Sequence, residues 1–260
     1  QLAESGVHLL IEKPLSTDLE GIDALLQTVR QANLTAGLAY VMRAHPALTA
    51  MRRELQSGRF GAPVQVVATC GQHFPTYRPA YREIYYTDRA RGGGAIQDAL
   101  THTLNAAEWL VGPIERLAAD AAHQVLSDVV VEDTVHVIAR HGNVLGSYSL
   151  NQHQAPNEAT TTVICEEAAL RFESHLRRWR CMTTPESAWQ DETFPGLERD
   201  SLFVLQVEAF LDAVEGRRPL LCPLDEGLQT LAVNLAVLQS VDEQRWTKPS
   251  DILTGLTAND

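Results

Sequence analysis

The sequence predicts a short α/β segment followed by an α+β unit: the edge of a doubly wound parallel sheet, then a mainly antiparallel sheet with flanking helices. Three observations carry that expectation. Strand-like and helix-like stretches alternate from residue 7 to about residue 60, the order that builds a parallel sheet. Between residues 133 and 174, four short β-rich runs are separated by Gly and Asn turns, the order of an antiparallel sheet. Two long apolar-periodic stretches, "SLFVLQVEAFLDAVEG" and "DEGLQTLAVNLAVLQSVDEQ", close the chain as helices.

Each element has its own local signal. The run "VHLLIE" with Lys13 is apolar enough for a buried parallel strand, and Pro14 ends it because it cannot donate to the ladder. Thr17 and Glu20 stand at capping-box spacing, and Leu19, Ile22, Leu26 and Val29 recur at steps of three and four, predicting a helix to about Ala32. "TAGLAYVMRAHP" reads as the next buried strand and "PALTAMRRELQSGRFG" as a helix closed by Gly58 and Gly61. "APVQVVATCGQHF" is strand-like, and "AIQDALTHTLNAAEWLVG" is the helix that follows the loop "PTYRPAYREIYYTDRARGGG". "DTVHVIAR", "VLGSYSLNQ", "ATTTVICE" and "AALRFES" are the four antiparallel strands.

Composition narrows the function. The chain has 260 residues, 45% hydrophobic, and 21 Lys and Arg against 33 Asp and Glu leave a net charge of −12, which disfavours a nucleic-acid partner. No apolar run approaches the ~20 residues of a membrane span, and no basic-then-apolar leader is visible. Cys70, Cys165, Cys181 and Cys222 are scattered, the pattern of inert thiols in a reducing cytoplasm, and no metal is expected.

The chemistry gathers in a few places. Asp98 and His102 are four apart, so a helix puts them on one face as an acid/base pair, although the same spacing also describes a solvated surface pair. Gly92, Gly93 and Gly94 just before them allow a φ > 0 turn or close backbone approach to a ligand. Lys13, at the carboxyl end of a parallel strand, points toward the crevice where open α/β sheets hold ligands, and Pro14 fixes the backbone beyond it, with a cis bond allowed. Arg43 and His45 would face the same crevice or serve as structural groups beside Pro46. Tyr77, Arg78, Tyr81, Arg82, Tyr85 and Tyr86 interleave aromatic and basic groups suited to a sugar or carboxylated substrate, whereas His73, His123, His136, His141, His153 and His175 have no partner at ligand spacing and read as structural.

The combination of "EKPLS", "VMRAHPAL", "GGGAIQDALTHTLNAAEWLVG" and "PLLCPLDEGLQTLAVNLAVLQS" resembles the Gfo/Idh/MocA family of nicotinamide-dependent oxidoreductases from residue 7 to about 245. The resemblance implies residues 1–45 as the C-terminal part of a Rossmann NAD(P)-binding domain, and 46–260 as an open-faced substrate-binding and oligomerisation domain. It implies Lys13, Asp98 and His102 as the catalytic group; Glu12, Lys13, Pro14 and Arg43 are expected on the cofactor, and Asp98 and His102, with Tyr77, Arg78 and Tyr85 of the aromatic and basic loop, on the substrate. His102, with an ordinary pKa near 6.5, suits the proton acceptor in oxidation of a secondary alcohol; Lys13 is the other acceptor if burial and a second cation lower its pKa. Glu12 anchors the turn or touches the cofactor.

The resemblance also implies a Gly-rich pyrophosphate loop and an NAD/NADP-discriminating residue upstream of the Glu-Lys-Pro strand, and none occurs in these 260 residues. At ~30 residues per βαβ unit the expectation is an incomplete copy lacking roughly 90 residues, inactive alone. Three functions are open: a dehydrogenase of sugars, cyclitols or related polyols using NAD or NADP, an NAD-dependent glycoside hydrolase of the same family, and a non-catalytic dimerising module. A homodimer or homotetramer through the C-terminal sheet is expected by resemblance.

Overall fold

The computed structural model describes residues 1–257 and holds a two-stranded and an eight-stranded sheet. In the small sheet β1 (Leu9–Ile11) and β2 (Ala36–Leu38) run parallel, joined through α1 (Ile22–Gln31). Leu25, Leu26 and Val29 of α1 and Leu9 and Ile11 of β1 pack against Ala36, Leu38, Tyr40, Cys222 and Leu224. The expected capping box does not form: the helix starts three residues after Leu19, behind a left-handed Gly21, and Asp18 Oδ1 instead accepts the Glu20 N–H at 2.9 Å. The second strand is also shorter than expected, giving way to a 3₁₀ turn over Val41–Ala44. The far edge of β2 is covered by residues 222 and 223, where Leu38 N–H donates to Cys222 O at 2.9 Å. A Cβ on Gly37 would stand 3.0 Å from that same oxygen, so a side chain there would crowd the covering segment.

α2 (Pro46–Gln56) begins where His45 Nδ1 accepts the Ala47 N–H at 3.2 Å and Pro46 takes the first turn. β3 (Pro63–Gly71) then enters the large sheet, and α3 (Phe74–Tyr77) opens the long loop. The helix after the glycines is a π-helical turn over Ile96–Leu100 continued by α4 (Thr101–Val111). β4 (Arg116–Ala122), β5 (Thr134–His141), β6 (Val144–Asn151), β7 (Glu158–Cys165), β8 (Ala169–Glu173), β9 (Arg178–Met182) and β10 (Gln190–Thr193) complete the sheet. Its order is β10-β9-β8-β7-β3-β6-β5-β4, with β3 and β6 parallel and the other neighbours antiparallel. α5 (Arg199–Val214), α6 (Leu224–Glu243) and α7 (Pro249–Thr257) follow.

β4, β9 and β10 carried no signal strong enough to be expected. "RLAADAA" is poor in β-formers, and β4 is placed by tertiary contacts: Leu117 bonds Thr247 in both directions at 2.9 Å, and Ala119 N–H donates to Ser240 Oγ of α6 at 2.9 Å. One face of the sheet carries the core, where Val66, Val135, Val137, Val163 and Leu170 join Leu48 and Met51 of α2, Leu104 of α4 and Val233 and Val237 of α6 in one buried cluster. Each such side chain contributes about 1.5–3 kcal/mol on burial. The opposite face is open, with Ile138 52% and Leu145 49% exposed. Among the described residues no helix is long and apolar enough to cross a membrane, and all four cysteines are free thiols.

Candidate active site

Lys13 lies two residues beyond the end of β1 and its peptide bond to Pro14 is cis. Its Nζ donates to the main-chain oxygen of Asp98 at 2.6 Å and lies 3.5 Å from Asp98 Oδ1. The end of the small sheet therefore meets the start of the helix on the large one, across 85 residues of sequence. At that point the backbone is in π register, with Thr101 N–H donating to Ile96 O, the kind of widened turn that recurs at functional sites.

The Asp98 carboxylate is the hub. Arg78 NH1 donates to Oδ2 at 2.7 Å, and the Tyr85 hydroxyl donates to Oδ1 at 2.5 Å. Burial opposes ionisation of Asp98, but Lys13, Arg78 and the Tyr85 hydroxyl together outweigh it and hold the carboxyl below its usual range. For Lys13 burial dominates and pushes the amine below its ordinary value; Asp98 opposes this and Arg78 adds to it. Burial and then the Lys13 charge drive His102 down to about 3, with Asp98 opposing and Arg78 adding, so its imidazole is neutral at neutral pH. Burial, then the bond to Asp98, pushes Tyr85 up to about 12.

Several expectations change here. Asp98 and His102 share no hydrogen bond: the carboxylate of Asp98 is taken up by Arg78, Tyr85 and Lys13 and acts on the imidazole through its charge, while among the described residues Nδ1 of His102 is buried without a hydrogen-bond partner. His102 instead presents its ring to the edge-on Tyr40, 6.0 Å away between centroids, and Tyr40 is held by Thr101 Oγ1 at 3.0 Å. Tyr40 was missed because inside "TAGLAYVMRAHP" it is indistinguishable from a core residue; only the packing places it beside the imidazole.

Arg43, expected on the cofactor, is 2% exposed and committed to the interior. Its Nε donates to Asn105 Oδ1 at 2.8 Å, NH1 donates to Leu221 O at 3.0 Å and to Glu226, and the guanidinium lies 5.6 Å from the Trp109 ring centre. It ties the small sheet to α4 and α6. His45, the helix cap, has 2% exposure and an edge-on contact with Phe172, and burial lowers its pKa to about 4. Glu12 is exposed, with its carboxylate 3.3 Å from the Lys13 N–H.

The loop divides into packing and site residues. Tyr81 and Tyr86 are buried with Phe74, Leu126, Val129 and Val131, and Arg82 pairs with Asp128 at 3.2 Å, so these three build the loop. Arg78 and Tyr85 reach Asp98, whereas Tyr77 is 50% exposed and is not among that carboxylate's partners. The glycines serve the protein itself: Gly92 and Gly94 have φ of +85° and +86°, and a Cβ on Gly93 would fall 2.3 Å from Tyr86 O. Pro14 packs beside Gly92, which seats the end of β1 on this turn.

Residues 48–171 match the family model described as the GFO/IDH/MocA C-terminal domain. A UDP-N-acetylglucosamine 3-dehydrogenase of Acidithiobacillus ferrooxidans is 27% identical over 246 residues, covering 92% of this chain and 72% of that protein. An inositol 2-dehydrogenase of Rhizobium meliloti is 23% identical over 258 residues, covering 94% and 74%. Among solved structures, a levoglucosan dehydrogenase in complex with NADH and levoglucosan superimposes with a TM-score of 0.82 at 19% identity, covering 95% of this chain and 74% of that one. An oxidoreductase domain protein from Kribbella flavida gives 0.84 at 20% identity, covering 95% and 75%. At those identities the structural matches establish the shared fold.

Proposed function

We propose that this chain, whose residues 48–171 match the GFO/IDH/MocA C-terminal domain, is an oxidoreductase of that family and oxidises a secondary alcohol of a sugar, cyclitol or related polyol with NAD or NADP, or catalyses the reverse reduction. One observation carries the reading. Two cations, a carboxylate and a neutral imidazole with an unpartnered buried nitrogen converge where β1 meets α4, and they bring together groups that can bind an oxygen and accept its proton.

Lys13 and Pro14 at the end of β1 are the residues that would flank a nicotinamide, and residues 1–45 form the cofactor side, with 46–260 on the substrate side. The orphaned His102 Nδ1 fits a site completed by a ligand, since a buried polar atom left unpaired is costly. When bound, the nicotinamide supplies the hydride acceptor. The protein's own groups handle the proton and charge: Lys13 Nζ donates to the reacting oxygen or takes its proton, the neutral His102 is the second acceptor, and ionised Asp98 keeps the cations in place. Arg78 and Tyr85 border the same space and are suited to substrate hydroxyls. The uncovered sheet face, with Ile138 and Leu145 exposed, supports pairing with further copies into a homodimer or homotetramer.

The test is reduction of NAD and NADP by the purified full-length protein with a panel of free sugars, anhydrosugars, cyclitols and nucleotide sugars. We expect reduced nicotinamide to accumulate with at least one polyol, and Lys13→Ala or His102→Ala to lower the rate about 100-fold or more. Release of free sugar without net cofactor reduction would move the reading to glycoside hydrolysis. Variants as active as wild type would remove catalysis from this site altogether.

A further inference from the structure

We propose that Arg78 is a positioning residue that acts on Lys13 through Asp98: by occupying the outer carboxylate oxygen it prevents a close Lys13–Asp98 ion pair and leaves the amine free to give up and regain a proton. Its significance for catalysis rests on the oxidoreductase reading above; its geometry does not.

Two cations compete for one carboxylate, and the distances show which holds it. Arg78 NH1 stands 2.7 Å from Oδ2, whereas Lys13 Nζ is 3.5 Å from Oδ1 and has its short contact, 2.6 Å, with the neutral main-chain oxygen. Tyr85 fills the remaining place on Oδ1. Arg78 is seated for this task, since its guanidinium lies 5.4 Å from the ring centre of Phe74, which is 2% exposed. A guanidinium stays protonated at any working pH, so when two cations share one anion in a buried place, the lysine is the one that yields.

The groups facing Lys13 come from three places: Asp98 and His102 on the helix, Arg78 and Tyr85 on the loop, and Glu12 just before it in the chain. Asp98 and Glu12 favour the ammonium; burial and Arg78 oppose it, and the net direction is downward. Without Arg78 the outer oxygen of Asp98 loses its cation, and Lys13 becomes the cation nearest that carboxylate.

Lys13 and Lys248 are the only two lysines in the chain, which makes a direct titration practical. Protein grown on [ε-13C]lysine gives one Cε resonance from each, assigned with Lys248→Arg, and each is followed against pH in wild type, Arg78→Gln and Arg78→Lys. We expect Lys13 to titrate below Lys248 in wild type, to move up by about one pH unit or more in Arg78→Gln, and to stay near wild type in Arg78→Lys. An unmoved Lys13 midpoint in Arg78→Gln, or a wild-type Lys13 that titrates together with Lys248, overturns the proposal; the wild-type comparison holds even if a variant folds poorly. In turnover, Arg78→Gln should shift the acid limb of the kcat profile to higher pH. A change confined to KM, with the kcat profile unmoved, would leave Arg78 as a substrate contact only and overturn the proposal. If wild type turns over no polyol at all, the oxidoreductase reading falls while the titration still decides what Arg78 does.

Discussion

Replacing Arg43 by glutamine removes a buried cation whose Nε and NH1 bond Asn105, Leu221 O and Glu226. Glu226 is 47% exposed on its side chain and can be resolvated, so most of the cost falls on Asn105, 1% exposed, and on the carbonyl of Leu221. A glutamine amide is too short to serve both. Hydrogen bonds from a charged donor contribute about 1.5–3 kcal/mol each, and breaking a buried charged contact typically costs about 3–5 kcal/mol in total. For a chain of this size about 1 kcal/mol shifts the thermal midpoint by roughly 2–4 °C, so a fall of about 10 °C is expected by calorimetry. The affinity of the folded variant for NAD or NADP should stay within about threefold of wild type. A variant that melts within about 2 °C of wild type but binds cofactor tenfold more weakly would refute the structural assignment and return Arg43 to the cofactor.

Two further outcomes follow from buried geometry. Gly93→Ala places a Cβ 2.3 Å from Tyr86 O and 2.6 Å from Tyr85 O, both backbone atoms; at about 1–3 kcal/mol for such overpacking, the thermal midpoint should drop by about 5–10 °C, and turnover should fall as Tyr85 is displaced, whereas an unchanged midpoint would show that the turn is slack. The second concerns acid. The folded-state pKa of His45 is depressed to about 4 and that of His102 to about 3, so below the ordinary value near 6.5 the unfolded chain binds protons that the folded chain refuses, and stability declines as pH falls from about 6.5 toward 4. His45 alone accounts for up to about 3 kcal/mol of this; His45→Asn, which can still cap α2, should flatten the loss of thermal midpoint between pH 7 and 4.5, and a slope equal to wild type would refute it.

The two sheets and the residues that meet between them were legible to different degrees. Alternation of buried, mostly apolar residues with more exposed ones in β5, β6, β7 and β8 follows from one-sided burial, and that pattern exists in the sequence before any contact does. β4 has no such pattern because its pairing is imposed by α6 and by Thr247, which lie more than a hundred residues away. Arg78 and Tyr85 could be singled out from the aromatic and basic loop, but not their common anchor on Asp98.

The sequence by itself determined the strand periods, the two-part order of the chain, the family motifs and the residue types from which a proton-handling site can be made. Those are properties of neighbours along the chain. Only the tertiary structure decided that Asp98 takes its hydrogen bonds and ion pairs from Arg78, Tyr85 and Lys13, and that Arg43 is an interior tie. The reason is physical: a buried charge must find partners wherever the fold supplies them, for Asp98 at positions 13, 78 and 85 and for Arg43 at positions 105, 221 and 226.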